Sequence, residues 1–278
     1  MIEGVVTREK VIQSLTEKKL HPSIPEVVVA IINITRSSSA TVTDLVRVIE
    51  RDPELTSRIL SIANSGFYGV ERKVRNVSDA VVLMGWNTIK MISLGSTILK
   101  MMSEIDMRLY SHSMRVAQIA RFLATKANFY KVEEISIVGL LHDLGTIILQ
   151  VYFREVYLKI KQFALDKAVP IHVAERMLLG VDHAEIGGWT IEEWDMPDNI
   201  IESVSLHHAF DPDTYHSKKT AVLHVADVCA IAADWSGPPW EKVPELAPSA
   251  LKILGITEDD LKSYMITIVK MKFDPLIM

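Results

Sequence analysis

The chain has 278 residues, 49% hydrophobic and 23% charged, which excludes a disordered polymer and leaves room for one large domain or two modest ones. A formal net charge of −5 without a charged tail gives no electrostatic reason to expect nucleic acid. The single cysteine, Cys229, excludes an internal disulfide and points to a reducing compartment, the cytoplasm.

The opening residues 1–10 are too charged to read as a signal peptide. Helical periodicity dominates and alternating strand-like runs are nearly absent, so the expected fold class is all-α. Pro22 and Pro25 bracket the start of a helix over 27–34, and Ser37-Ser38-Ser39 reads as a loop. Thr41 or Thr43 caps a helix running to about Ile49. Asp52-Pro53 opens the next, because aspartate accepts from the first unpaired amides and proline suits the first turn. Asn64-Ser65-Gly66 closes it. Two more helices, around 77–83 and 87–101, complete an expected N-terminal five-helix bundle in residues 1–103.

Residues 104–278 form a second expected helical unit. Its first helix carries Val116, Ile119, Ala120 and Leu123 on one apolar face, with His112 four residues before Val116. The apolar run 135–153 is the only membrane-like stretch, but it holds His142-Asp143 at its middle, where a bilayer would exact several kcal/mol. It reads as one buried helix, and no membrane is expected. Further helices are expected over 155–166, 171–178, 183–193, 199–207 and 220–234. Residues 235–248, rich in proline, read as a loop; a last helix starts at Thr257, which has capping-box spacing to Asp260.

Five of the nine histidines fall into an order with two aspartates: His112, His142-Asp143, His183, His207-His208 and Asp227. Imidazole and carboxylate suit iron, manganese or zinc, and a carboxylate such as Asp143 can bridge two ions. Taken singly, each residue has a plainer reading. A lone histidine on an apolar face is commonly a hydrogen-bonded core residue, and His207-His208 could be surface residues before the Asp211-Pro212 turn. The ordered set favours a metal site.

Leu141-His142-Asp143-Leu144-Gly145, with a histidine thirty residues before and an aspartate far after, resembles the HD superfamily of metal-dependent phosphohydrolases. His183 and the His207-His208 pair resemble its HD-GYP branch, which hydrolyses cyclic di-GMP. The N-terminal half is similar to the HDOD (HD-related output domain) family. His21-Pro22-Ser23-Ile24-Pro25 resembles its opening motif, with His21 in place of leucine. Residues 51–60, from Arg51-Asp52-Pro53 to Leu60 and then Ala63-Asn64-Ser65, resemble its signature. Ala80–Gly85 and Trp194-Asp195-Met196-Pro197 extend the likeness.

The resemblance implies an HD-like bundle under the N-terminal one, and two divalent ions, iron or manganese. One ion would take His112, His142, Asp143 and Asp227; the other would share Asp143 and take His183, His207 and His208. It also implies a regulatory output protein of bacterial signalling. The chain departs from the hydrolases in having Thr146 where they carry a lysine and Ala209-Phe210-Asp211-Pro212 in place of a Gly-Tyr-Pro motif. Arg108 stands where trimetal members carry glutamate, so a third ion is not expected.

The first expectation is therefore a signalling protein with a dinuclear centre, acting on signalling-protein partners or through a phosphorylated small-molecule signal. The second is a phosphohydrolase, in which a bridging hydroxide held at Asp143 attacks a phosphate and Lys218, Lys219 or Arg108 replaces the missing lysine. The third, from histidine-rich HD relatives with oxygen chemistry, is a di-iron oxygenase. Asn64–Gly69 is weighed as a ligand loop against a plain helix end, His224 as a partner of the site against an ordinary satisfied histidine, and Cys229 as a small core residue.

Overall fold

A computed structural model describes residues 26–64, 73–96, 106–129, 132–233 and 242–271, apart from single positions 38, 87 and 94, together with positions 9 and 13. Among these residues there are fourteen helices with defined bounds and no strand. They fall into two compact units, one between Ser23 and Met101 and the other between Met102 and Met271.

In the first unit, α1 (Glu26–Arg36), α2 (Val42–Ile49), α3 (Pro53–Ala63) and α4 (Val77–Met84) pack in sequence-adjacent pairs, and α2 also meets α4. Thr41 caps α2 with a full capping box to Asp44, and Asp52 accepts from the Glu54 and Leu55 amides at 3.0 Å to start α3. Ile31, Leu45, Ile49, Ile59 and Val77 form the buried interior. Asn64 ends α3, and its side chain does more than a cap: the amide donates to Leu60 and Val74 carbonyls and its oxygen accepts from the Val74 amide. Of the fifth helix expected at 87–101, positions 88–93 and 95–96 are helical; the remainder lies outside the described residues. His21–Pro25, Ser65–Gly69, Trp235 and Trp240 also lie outside them.

The second unit is built around α12 (Ser217–Ala233), which is buried on nearly every side from Thr220 to Ala230. A helix without a polar face belongs in a core. It packs against α5 (Met107–Lys126), α6 (Val132–Leu141), α11 (Asp198–Ser205), α13 (Pro248–Leu254) and α14 (Glu258–Val269). α5 and α6 approach closely because Gly139 lies against Ala117, where a Cβ would come within 2.8 Å of the Ala117 Cα. The Ser136 hydroxyl donates to the Ala117 carbonyl across the same contact, at 3.1 Å. α7 (Leu144–Tyr152) packs on α10 (His183–Glu193), and α8 (Arg154–Lys167) on α9 (Ile171–Leu179).

Three expectations change. The single helix over 135–153 is two, α6 and α7, separated by His142-Asp143. The His142 imidazole takes the Gly139 carbonyl at 2.7 Å, an acceptor that a continuing helix would use for its own backbone. The stretch Glu134–Tyr152 is long and apolar enough to cross a membrane, yet 83% of its most apolar window is buried inside the fold. The helix expected over 199–207 ends at Ser205, which leaves His207-His208 in an irregular turn. The loop expected over 235–248 gives way at its end to α13, since Pro248 is a good first-turn residue and Gly255 supplies the left-handed cap. The Thr257–Asp260 capping box of α14 is as expected.

Candidate metal centre

All seven side chains of the ordered set meet in one buried place in the second unit. α5 supplies His112, the α6–α7 break supplies His142 and Asp143, the first turn of α10 supplies His183, the turn after α11 supplies His207 and His208, and α12 supplies Asp227. Their donor atoms form three overlapping groups, His183–His207–His208, His142–Asp143–His207 and His112–His142–Asp227, each within 4.8 Å. His112 Nε2 lies 3.1 Å from Asp227 Oδ1, 3.2 Å from His142 Nε2 and 3.6 Å from Asp143 Oδ2. On the other side, His183 Nε2 lies 3.2 Å from Asp143 Oδ1 and 2.9 Å from His208 Nε2. Asp143 is thus within reach of both histidine groups.

Local hydrogen bonds determine which nitrogen each ring presents. A carbonyl only accepts, so Nδ1–H of His142 donates to Gly139 O and Nδ1–H of His207 donates to Val204 O, both at 2.7 Å. His183 Nδ1 lies 2.6 Å from Glu175 Oε2. His142 and His207 therefore turn an Nε2 lone pair toward the common centre, the arrangement seen where outer hydrogen bonds hold imidazoles for a metal. His183 turns its Nε2 there too, but the carboxylates of Glu175 and Asp143 outweigh burial and hold this ring well above the ordinary imidazole range, so metal binding would have to displace a proton. His207 Nε2 is buried with no hydrogen-bond partner among the described residues, and a buried lone pair without a donor fits a cation. The cluster has the donor chemistry of a metal site.

Electrostatics agree. Burial lowers His142, pushes His207 down to about 3 and takes His208 well below the ordinary imidazole range, so these three rings are neutral, the form a metal would need. Burial alone would raise the two aspartates. The imidazoles around them outweigh it, holding Asp143 well below the usual carboxylate range and Asp227, which His112 also hydrogen-bonds, at about 2. Both are ionised at neutral pH.

Two contributors have no precedent in the sequence reading. Glu175 on α9 is wholly buried, and one oxygen accepts both the backbone amide of His183, at 2.9 Å, and its imidazole. His172 stacks on His208 with ring centroids 4.0 Å apart, and burial lowers it to about 4. In sequence Glu175 looks like half of an exposed Glu-Arg pair. The available signal was Asp182: it caps α10 through the Glu185 amide and binds Arg176 at 2.7 Å, which places α9 against the start of α10. His224 is a satisfied histidine, donating to the His207 carbonyl and accepting from the Ala247 amide.

Five of the seven side chains, His112, Asp143, His183, His208 and Asp227, line the floor of a cleft of about 360 Å³. Arg108 lines it, but Lys218 and Lys219 do not. Lys218 sits over the Phe129 ring at 4.9 Å and Lys219 pairs with Glu134 at 3.0 Å. The cationic side chains that do line it, besides Arg108, are Arg115, Lys161 and Lys242. Thr146, in the place of the hydrolases' lysine, lines it as well.

The HDOD domain family matches residues 21–210, well over half of the chain. The chain belongs to the HDOD domain family. Solved structures with this fold include an HDOD domain protein from Geobacter sulfurreducens, at 19% identity and a TM-score of 0.66, covering 97% of this chain and 98% of that one. A Shewanella amazonensis SB2B protein provisionally named a phosphohydrolase has 21% identity and a TM-score of 0.62, with 96% and 91% covered. A Marinobacter aquaeolei VT8 protein provisionally named a signal transduction protein has 22% identity and a TM-score of 0.61, with 91% and 58% covered. At these identities the likeness establishes an all-helical HDOD fold. A curated relative, an uncharacterized protein of Treponema pallidum (strain Nichols), is 24% identical over 237 residues, 84% of this chain. The HDOD chain spans about half the length of that relative, 46%.

Proposed function

We propose that this HDOD protein is a bacterial, cytoplasmic signalling component with a dinuclear iron or manganese centre, acting by binding a protein partner or a phosphorylated signal rather than by turnover. One observation carries the reading: a full set of metal donors converges in one buried place while the hydrolases' recognition elements are missing. His112, His142 and Asp227 with Asp143 would hold one ion, and His183, His207 and His208 with Asp143 the other. When bound, the ions supply Lewis acidity and positive charge at the cleft floor. The protein's part is to hold three rings by Nδ1 and keep both aspartates ionised.

Elemental analysis of protein purified without chelators, beside Asp143→Ala, tests the centre. About two ions per chain, lost in the variant, is the expected result; no ion after anaerobic loading with iron or manganese would refute it. Steady turnover of a cyclic dinucleotide by the loaded protein would refute the regulatory part. The second reading, a phosphohydrolase, is favoured by the position of Asp143 between the two histidine groups at the floor of a cleft lined by cationic side chains. Inactivity of the fully loaded protein across a phosphomonoester and phosphodiester panel would remove it.

A further inference from the structure

We propose that the cleft reads a small phosphorylated ligand through Arg115, Lys161 and Lys242, side chains that replace the recognition elements this chain lacks. The inference rests on the metal centre proposed above and names what that centre faces.

The cleft inverts the charge of the molecule. The chain as a whole carries −5, yet among the described residues four cationic side chains line the cleft against three aspartates. Of those aspartates, Asp143 and Asp227 face the histidines, and Asp106 caps α5, accepting from the Arg108 amide at 2.9 Å. Two divalent ions at the floor would make the cleft more positive still. A concave site with a net positive charge concentrates anions, so its occupant is an anion.

Position favours specific recognition over a diffuse field. Arg115 lies three residues after His112 on α5, which puts it on the same face one turn along the helix, and it lines the cleft. Lys161 comes from α8, and its ammonium lies 4.8 Å from the centroid of Tyr157, another lining residue, so the ring holds it at the cleft wall. Lys242 comes from the stretch 242–247 that leads into α13, and the Ala247–His224 hydrogen bond ties the end of that stretch to α12. Cations from three separate elements line this one cleft, and a tetrahedral dianion offers oxygens on several sides to meet them; guanidinium also matches two phosphate oxygens at once.

Size and the remaining walls define the rest of the ligand. At about 360 Å³ the cleft is near the small end of ligand sites, which run from about 300 to 1,000 Å³. Tyr157, Ile171, Ile231 and Pro244 give it apolar wall. The chemistry that fits is one phosphate on a compact body of about one ring.

The test is calorimetric titration of manganese-loaded protein, metal content measured on the same samples, with phenylphosphonate as a probe that resists hydrolysis and phenylacetate as the carboxylate counterpart. Wild type is expected to prefer phenylphosphonate by about tenfold or more. Lys161→Ala and Arg115→Gln are expected to weaken it by about tenfold each, the loss of one charge-assisted hydrogen bond, with metal content unchanged. Lys218→Ala, outside the cleft, is expected to bind as wild type. Metal-replete protein that ignores phenylphosphonate, binds phenylacetate equally well, or is indifferent to both cleft substitutions overturns the proposal and leaves the metal centre standing. If no metal binds, that reading has failed separately. The titration on metal-free protein then decides this one: weaker binding in Lys161→Ala sustains it, and no binding overturns it. Lys161 is partly exposed, so its substitution tests the idea even if Arg115→Gln does not fold.

Discussion

Replacing Glu175 with alanine removes one carboxylate oxygen that holds two donors of His183, and the loss can be sized from the geometry. The oxygen accepts the backbone amide at 2.9 Å and the imidazole at 2.6 Å, in a residue with no solvent exposure. Each such bond to a charged acceptor is worth roughly 1.5–3 kcal/mol, and alanine leaves both donors buried and unpaired. Relief from burying the carboxylate returns part of this, so the expected net loss is about 3–5 kcal/mol, typical of a buried pair broken on one side. Glu175→Gln keeps an acceptor oxygen without its charge and is expected to lose roughly half as much. The ring it orients would also be less well placed, weakening metal affinity about 10- to 100-fold in both variants. Urea denaturation of chelator-treated protein measures the first effect, and competition with a chromophoric chelator measures the second. A Glu175→Ala protein within about 1 kcal/mol of wild type, with unchanged metal affinity, would refute the argument that this carboxylate organises His183.

Three further outcomes are expected. Gly145→Ala places a Cβ 2.8 Å from the His183 carbonyl carbon and 2.9 Å from the Gly187 nitrogen, both backbone, so α7 and α10 must separate at a cost of about 1–3 kcal/mol; a lower Tm together with reduced metal content checks it. Burial holds His172 at about 4 while the unfolded ring titrates near 6.5, so the unfolded chain takes up the proton first as pH falls. Stability from this residue is complete above pH 6.5 and wanes toward pH 4, with about 2 kcal/mol gone by pH 5; in chelator-treated protein His172→Gln should shrink the fall in Tm between pH 7 and pH 5. Cys229 is 3% exposed and burial, reinforced by Asp227, pushes its thiol up to about 12, so iodoacetamide at pH 8 should leave the native protein unlabelled and modify it only in denaturant.

Helix starts were legible wherever a single side chain makes them. Thr41, Asp52 and Thr257 act on amides within three residues, and that chemistry needs no tertiary context. The buried cluster was legible for a similar reason: few roles other than metal binding call for five histidines and two aspartates in that order. The breaks were harder. Nothing in the apolar periodicity of 135–153 announces that His142 will take the Gly139 carbonyl, because that choice follows from the ring being drawn toward its partners on other helices.

The cleft walls show the same division. Lys218 and Lys219 were reasonable substitutes for a missing lysine on sequence distance alone, yet α12 turns them toward Phe129 and Glu134, while Arg115, Lys161 and Lys242 arrive from elements far apart in the chain. Glu175 is a charged residue among charged neighbours until α9 packs against α10 and shuts it away from water. The amino-acid sequence by itself determined the all-helical class, the caps and which histidines and aspartates form the buried cluster, since these depend on residue type and spacing. Tertiary structure alone decided which nitrogens face the centre, which charges line the cleft and which carboxylate is buried, since these depend on where helices cross.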